Sequence, residues 1–488
     1  MTGSQRNAQF SFAPRPNQQT REGYNLSLLV LAIAFLSVAA SVSHGQTFTA
    51  LVNLEGSNGS NPTDVLLQGT DGRLYGATAN GGVFGFGTLF TVTTGGVLST
   101  LHSFDSTDGS NPSGRLIQAT DGLYYGATST GGSYTAGTVF SITPTGALTT
   151  LHNFYLLGAT FCSDGSHPSA LLQAANRKFY GTTFAGGASG YGTVFTMTSN
   201  GIVTTLHSFN SNDGAYPTGG LFQAIGGALY GTATNAGALG LGTIFTITPE
   251  GSFRTLHNFH GTDGFLPNSP LTQANNGRFY GTTYNGPNPG IGSAYKTTDK
   301  GKFTTLHVFC LSVCSDGGLP YGGLVQATDG NLYGTTFGGG SNELGTIFMM
   351  TLSGTVTVLH TFAFGEGSPA GSLMQDTDGN LYGTTVNGGD LTCNPPDGCG
   401  TVYQFSMGLA PFVKTLPISG TVGTAVSVLG TDLTGATSVK FNGISASFTV
   451  VAGTEITTTV PTGATTGSVT VDTPSGTLTS NKKFRVRP

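Results

Sequence analysis

The feature that most restricts this chain is a phrase it uses seven times. A Tyr-Gly step at the end of a short apolar run stands at Tyr75, Tyr125, Tyr180, Tyr230, Tyr280, Tyr333 and Tyr382, at intervals of 49 to 55 residues. Two further marks keep the same beat. Gly-Thr-x-Phe begins at Gly87, Gly137, Gly192, Gly242 and Gly345, with looser copies GSAY at Gly292 and GTVY at Gly400. Leu-His-x-Phe begins at Leu101, Leu151, Leu206, Leu256, Leu306 and Leu359, and its eroded seventh copy, LVNL at Leu51, precedes the first tyrosine. Such self-similarity means that each unit is one supersecondary element burying its apolar faces against equivalent neighbours.

Each unit holds four short β-prone runs, as in RLIQAT, LYYGAT, GTVFSIT and ALTTLHNF from Arg115, Leu123, Gly137 and Ala147. Asp-Gly or Asn-Gly separates the first two runs (Asp121-Gly122, Asn276-Gly277, Asp329-Gly330), residues that accept the positive φ of a tight hairpin. With 78 Gly, no Trp and 8% charged residues, the composition lacks the Lys, Glu and Arg surface of helices. Four antiparallel strands in about 40 to 50 residues is the pattern of a propeller blade. The predicted fold is therefore all-β, with a seven-bladed β-propeller over residues 46–407. The displaced LVNL predicts that the N-terminal strand, Phe48 to Leu54, supplies the outermost strand of the blade begun by Ser372 to Ser406, closing the ring.

The units, with LIQATDG, NLYGTT, GTVF and LHSF, resemble the tandem GloVer (Gloeo/Verruco) repeats of bacterial exported proteins from about Phe48 to Phe405. That resemblance implies a scaffold and little chemistry, because the family is defined by its repeat. After Met407 the marks stop. Pro417, Gly420, Gly423, Val428, Gly430, Leu433, Val439, Phe441, Asn442, Gly443, Val460, Pro461 and Gly467 make this tail similar to the IPT/TIG class of immunoglobulin-like domains, which implies a spacer or interaction module. Alternating VSV, VKF, FTV and VTV runs predict a small two-sheet sandwich over 408–488.

At the N-terminus Arg6, Arg15 and Arg21 precede the apolar run Leu26 to Ala40 and then Ser43-His44-Gly45, the order of an export signal over residues 1–45. The run is short for a membrane span, and an uncleaved N-terminal anchor is the alternative. Cleavage after Gly45 leaves 15 Lys and Arg against 22 Asp and Glu, net −7. Weak, dispersed negative charge opposes nucleic acid as a partner, because phosphate binding needs a basic stripe. The expectation is an exported monomer, extracellular, at the cell surface or periplasmic, with no transmembrane domain after signal removal.

Alternating strand direction sends both long connections of a unit to one face, as in DSTDGSNPSG from Asp105 and TANGGVFGFG from Thr78, and a ligand is expected there. In these loops an acid or amide precedes Gly in every unit: Asn58, Asp108, Asp164, Asp213, Asp263, Asp316 and Glu366. Asp105, Asp108, Asp213, Asp263 and Asp316 are the candidate ligand residues, offering oxygens to sugar hydroxyls or to Ca²⁺. The competing explanation is Asp-Gly turn chemistry, which repetition in every unit favours. Calcium is a possible cofactor without a supporting Asp-x-Asp-x-Asp-Gly loop.

His102, His152, His207, His257, His307 and His360 are expected to pack between blades with a ring nitrogen on backbone. Ring-related histidines on different blades cannot meet at one ion, so no metal site is predicted. Cys310 with Cys314, and Cys393 with Cys399, are expected as local disulfides worth roughly 2 kcal/mol each, which leaves Cys162 odd. No nucleophile elbow, P-loop or His-Glu-x-x-His is present, and no catalytic residue is assigned. The function expected is a non-catalytic exported binding or surface-structural protein, directed at polysaccharide or a cell-envelope protein. The alternative is a carbohydrate-active enzyme, a glycosidase or lyase, for which Asp105 with Asp108, or Asp390 with Asp397, are the local acid pairs.

Overall fold

The computed structural model describes residues 45–488 apart from 64, 156–161, 288–289, 311–313 and 370. The expected export signal lies, Gly45 aside, outside the described residues. One 3-10 turn at Cys314–Asp316 interrupts a chain of strands and turns, and Gly45–Pro488 forms one compact unit. Among the described residues no helix is long and apolar enough to cross a membrane.

Seven antiparallel sheets carry the repeat. The second is typical, with Ser110–Gln118, Tyr124–Thr130, Thr138–Ile142 and Leu148–Asn153 side by side in chain order. In the first sheet the leading strand is interrupted, so Ser60–Pro62 and Leu67–Gln68 both pair with Leu74–Asn80. The seventh is composite: Met374–Gln375, Leu381–Thr385 and Thr401–Ser406 are followed by Thr47–Asn53, with Val52 opposite Val402 and Phe48 opposite Phe405.

The repeated phrase has a local cause. Tyr75 donates its hydroxyl to Asp71 at 2.9 Å while the other oxygen of that carboxylate accepts the Arg73 N–H at 3.1 Å. One aspartate thus holds both the hairpin turn and the strand that leaves it. The glycine after the tyrosine makes room for a ring: a Cβ on Gly76 would lie 2.5 Å from Phe90, and one on Gly334 2.7 Å from Phe348. The third mark has its own role. Val194 faces His207 and Phe195 faces Thr205, which leaves Leu206 as the extra residue of a bulge. Leu51, Leu101, Leu151, Leu256, Leu306 and Leu359 are bulge residues in the same way.

Neighbouring sheets are joined by apolar burial and by a series of glutamines. Tyr75, Leu89 and Phe104 share a core with Leu116, Tyr124 and Phe140 of the next sheet, and Leu74, Phe90 and Val92 of the first sheet share one with Tyr382 and Val402 of the seventh. The leading strand of each repeat sheet ends in a glutamine that reaches the preceding sheet. Gln118, Gln173, Gln223, Gln273, Gln326 and Gln375 accept the N–H groups of Thr70, Thr120, Ala175, Ile225, Asn275 and Thr328 at 2.8 to 3.1 Å. Gln68 donates to Thr377 Oγ1 of the seventh sheet at 2.7 Å.

The tail folds as two four-stranded sheets around one core, with a two-stranded parallel pair of Ser419–Gly420 and Arg485–Val486 beside them. Val426, Val428 and Ile456 from one sheet meet Val439, Phe441, Val469 and Val471 from the other. This sandwich does not stand apart from the repeat: it rests on the inner hairpin turns. Thr454 Oγ1 donates to Thr70 O at 3.0 Å, Phe412 N to Thr377 O at 2.9 Å and Lys482 Nζ to Gln273 O at 3.1 Å. Lys414 Nζ donates to Gln68 Oε1 at 3.0 Å and to the Gln375 carbonyl.

Asp376 is buried in this contact, 3% exposed. Burial pushes its carboxyl up to about 6, against the opposing pull of Lys414. A raised folded-state value means that the native state holds more protons than the unfolded chain between about pH 4 and 6. Stability from this group is therefore present at low pH and lost as pH rises through about 6. We expect Asp376→Asn to flatten that fall in a series of thermal midpoints from pH 4.5 to 7.5, and an unchanged slope would contradict the assignment.

Candidate functional site

The loop acids are held by the histidines. His102 Nε2 lies 2.6 Å from Asp108 Oδ2, His207 3.1 Å from Asp213, His257 2.8 Å from Asp263 and His307 2.8 Å from Asp316, with His152–Asp164 and His360–Glu366 each at 2.9 Å. Where the seventh copy has Val52 in place of histidine, the acid is also replaced, by Asn58, whose side chain accepts the Glu55 N–H at 3.0 Å. The expectation that the ring nitrogens meet backbone is thus corrected. The imidazole is within reach of a carboxylate because the loop folds back over the end of its own outer strand. In Asp108, Asp213, Asp263 and Asp316 the second carboxylate oxygen takes a loop N–H, from Asn210 to Asp213 at 2.9 Å and from His260 to Asp263 at 3.1 Å for example. Burial works to raise the Asp263 carboxyl, but bonds from His257 and from the His260 N–H outweigh it and hold the group below its ordinary range.

Asp108, Asp213, Asp263 and Asp316 are therefore each engaged within their own loop. Asp105 is exposed and accepts the Thr107 hydroxyl at 2.7 Å, which lowers its carboxyl. Asp390 is held the same way by Thr392. Cys310–Cys314 and Cys393–Cys399 are disulfide-bonded, and Cys162 is a free, buried thiol.

One cavity lies among the long loops of the repeat. It measures about 410 Å³ and is lined by Asn61, Pro62, Thr63, Ala79, Tyr284, Tyr321, Phe337 and Val386, drawn from the fifth, sixth, seventh and first repeats. Tyr321 and Phe337 are 50% and 36% exposed, and Tyr284 meets Tyr321 edge to face at 6.1 Å. Thr63 Oγ1 is buried among the described residues without a hydrogen-bond partner. A second aromatic pair, Phe184 stacked on Tyr216 at 4.6 Å, comes from the third and fourth repeats, with Tyr216 just before its loop proline where Tyr321 stands just after its own. A wider hollow of about 560 Å³ on the sandwich, among Thr421, Val422, Thr465 and Arg487, has no aromatic wall.

Sequence reasoning missed the cavity residues because it looked for what repeats. One position differs in every unit, the fourth residue after the repeat tyrosine (Ala79, Ser129, Phe184, Thr234, Tyr284, Phe337, Val386), and a second, the residue after the loop proline, is small and polar at Thr63, Ser113, Ser169, Thr218 and Asn268 but aromatic at Tyr321. Variation inside a constant frame was the available signal.

A family model described as the Gloeobacter/Verrucomicrobia repeat matches residues 38–162, 155–326 and 313–438. No curated protein matches the chain by sequence. Among solved structures, streptogramin B lyase is similar over 75% of this chain and 100% of its own, at 15% identity and a TM-score of 0.53. The extracellular domain of a hybrid two-component system from B. thetaiotaomicron (14% identity, 91% of this chain and 55% of that one, TM-score 0.49) and a fungal alcohol oxidase in complex with copper (13%, 91% and 99%, 0.48) are also similar. The first of these likenesses supports an all-β, propeller-like fold and speaks to fold alone.

The loop acids make a graded prediction. Asp213 joins His207, the Asn210 N–H and the Asn210 amide, so Asp213→Ala should lower stability in urea by about 2 kcal/mol. Asp105→Ala should stay within about 0.5 kcal/mol of the parent. Equal losses at the two sites would contradict the division between them.

Proposed function

As the chain belongs to the Gloeobacter/Verrucomicrobia repeat family, we propose that its seven repeat sheets are the blades of one closed propeller, seated on an IPT/TIG-type module, in an exported protein that binds a glycan without transforming it. Ring closure is supported by the glutamine series, whose last bond, from Gln68 to Thr377, joins the seventh sheet to the first. Export is supported by the two disulfides, which persist in oxidising compartments.

The observation that carries the binding reading is the cavity of Tyr284, Tyr321 and Phe337 beside Asn61 and Thr63. Aromatic faces cover the C–H faces of sugar rings, while amide and hydroxyl groups meet their hydroxyls, and a few placed polar groups on an apolar wall is the usual build of a ligand site. Its lining residues carry no carboxylate or imidazole to move a proton. The sandwich occupies the hairpin face, so the ligand approaches from the long-loop side.

A glycan array probed with the protein, followed by calorimetry on the best ligand, tests this. Tyr321→Ala and Phe337→Ala should each weaken binding about tenfold, the loss of about 1.4 kcal/mol, with the thermal midpoint retained. Undiminished binding in both variants would remove the cavity from the account, and consumption of the glycan would turn the reading to an enzyme.

A further inference from the structure

One loop departs from the repeat in a way that brings three metal-ligating side chains together. The residue after the Leu-His-x-Phe phenylalanine is Asp105, Tyr155, Asn210, Cys310 or Ala363 in other units, and in the fourth it is His260. Donor atoms of His257, His260 and Asp263 all lie within 4.8 Å of one another. Asp263 Oδ2 is 2.8 Å from His257 Nε2 and 3.1 Å from His260 Nε2. These separations are close to the edge of a tetrahedron of ligands around zinc, about 3.3 Å for bonds of about 2.0 Å.

We propose that His257, His260 and Asp263 form a binding site for a divalent transition metal of the zinc class at the outer edge of the fourth sheet. Two imidazoles and one carboxylate suit zinc, copper or nickel rather than magnesium or calcium. Three protein ligands leave a fourth position for water. Each ligand is already oriented. The His257 ring lies flat on Phe303 of the next sheet at 4.0 Å and edge-on to Phe259 at 5.0 Å. His260 places Nδ1 2.8 Å from Thr262 Oγ1, and a proton shared there leaves Nε2 as the lone pair that faces Asp263. Asp263 spends Oδ1 on the His260 N–H, which leaves Oδ2 turned to both rings. His260 is half exposed, so an ion reaches the site from solvent. The site concerns histidines of a single loop, so the argument that histidines of different blades cannot converge does not apply to it.

The third repeat supplies the control. There Asn210 stands in the place of His260 and its amide donates to Asp213 Oδ2 at 2.8 Å, beside His207. His260→Asn thus installs a side chain that this fold already accommodates, and Asn210→His should build a second site. Untagged protein, stripped with a chelator, would be titrated with Zn²⁺ by equilibrium dialysis and with Co²⁺ by visible absorption. The parent should bind one equivalent and show the intense cobalt bands of a low-coordinate site. His260→Asn should weaken zinc at least about tenfold and abolish those bands while keeping the parent's thermal midpoint, and Asn210→His should bring a second equivalent. Equal uptake by parent and His260→Asn, or no uptake by either, would overturn the proposal.

Discussion

The repeat rests on an aromatic ring laid over a glycine. In all seven sheets the ring of the third strand occupies the space that a side chain on the second would need: Phe90 over Gly76, Phe140 over Gly126, Phe195 over Gly181, Phe245 over Gly231, Tyr295 over Gly281, Phe348 over Gly334 and Tyr403 over Gly383. Glycine inside a strand costs conformational entropy and offers nothing to pack. The cost is offset because the ring sinks to the level of the backbone, and all seven of these aromatics are fully buried. The interlock brings the faces of each sheet to a similar height, so equivalent sheets can stack in series with the same contacts each time. It also explains why the Tyr-Gly and Gly-Thr-x-Phe marks travel together.

On that frame, polar bonds fix the loops. Thr88 Oγ1 lies 2.9 Å from Thr78 Oγ1 and donates to Asn58 O at 3.0 Å, and the same threonine pair recurs at Thr128 with Thr138 and at Thr336 with Thr346. The histidine and its acid hold the same loop from the other side. The loops are thus tied to the frame from two sides, and the residues between the ties differ from unit to unit. Function is better sought at positions that differ between units, the cavity aromatics and His260 among them, than in the repeated acids taken alone, which the architecture itself uses.

Much of the fold was legible because its determinants are close in sequence. The Asp-Gly turn, the tyrosine four residues beyond Asp71 and the alternating runs lie within one hairpin. The partner of each histidine was harder to read, because the loop between them changes length: Asp108 is six residues from His102, Asp316 nine from His307 and Asp164 twelve from His152. The docking of the tail left no trace in the sequence. Lys414, Lys482 and Thr454 bond mainly to main-chain carbonyls of hairpin turns, and a carbonyl has no residue type to recognise. The cavity aromatics were passed over for a similar reason, since Tyr321 and Phe337 belong to positions defined by difference.

The seventh sheet has a consequence for how the protein is made. Thr47–Asn53 precedes the strands of the other repeat sheets in the chain and pairs with Thr401–Ser406, which follows them, so during translation it waits without a partner while six sheets assemble behind it. An unpaired strand of that kind is a template for association with other chains, and a contact of such long sequence separation is slow to form. The opening strand, TFTALVN, answers with polar residues at three of its seven positions and no uninterrupted apolar run longer than three, a composition that limits the apolar surface of a waiting edge until its companion arrives.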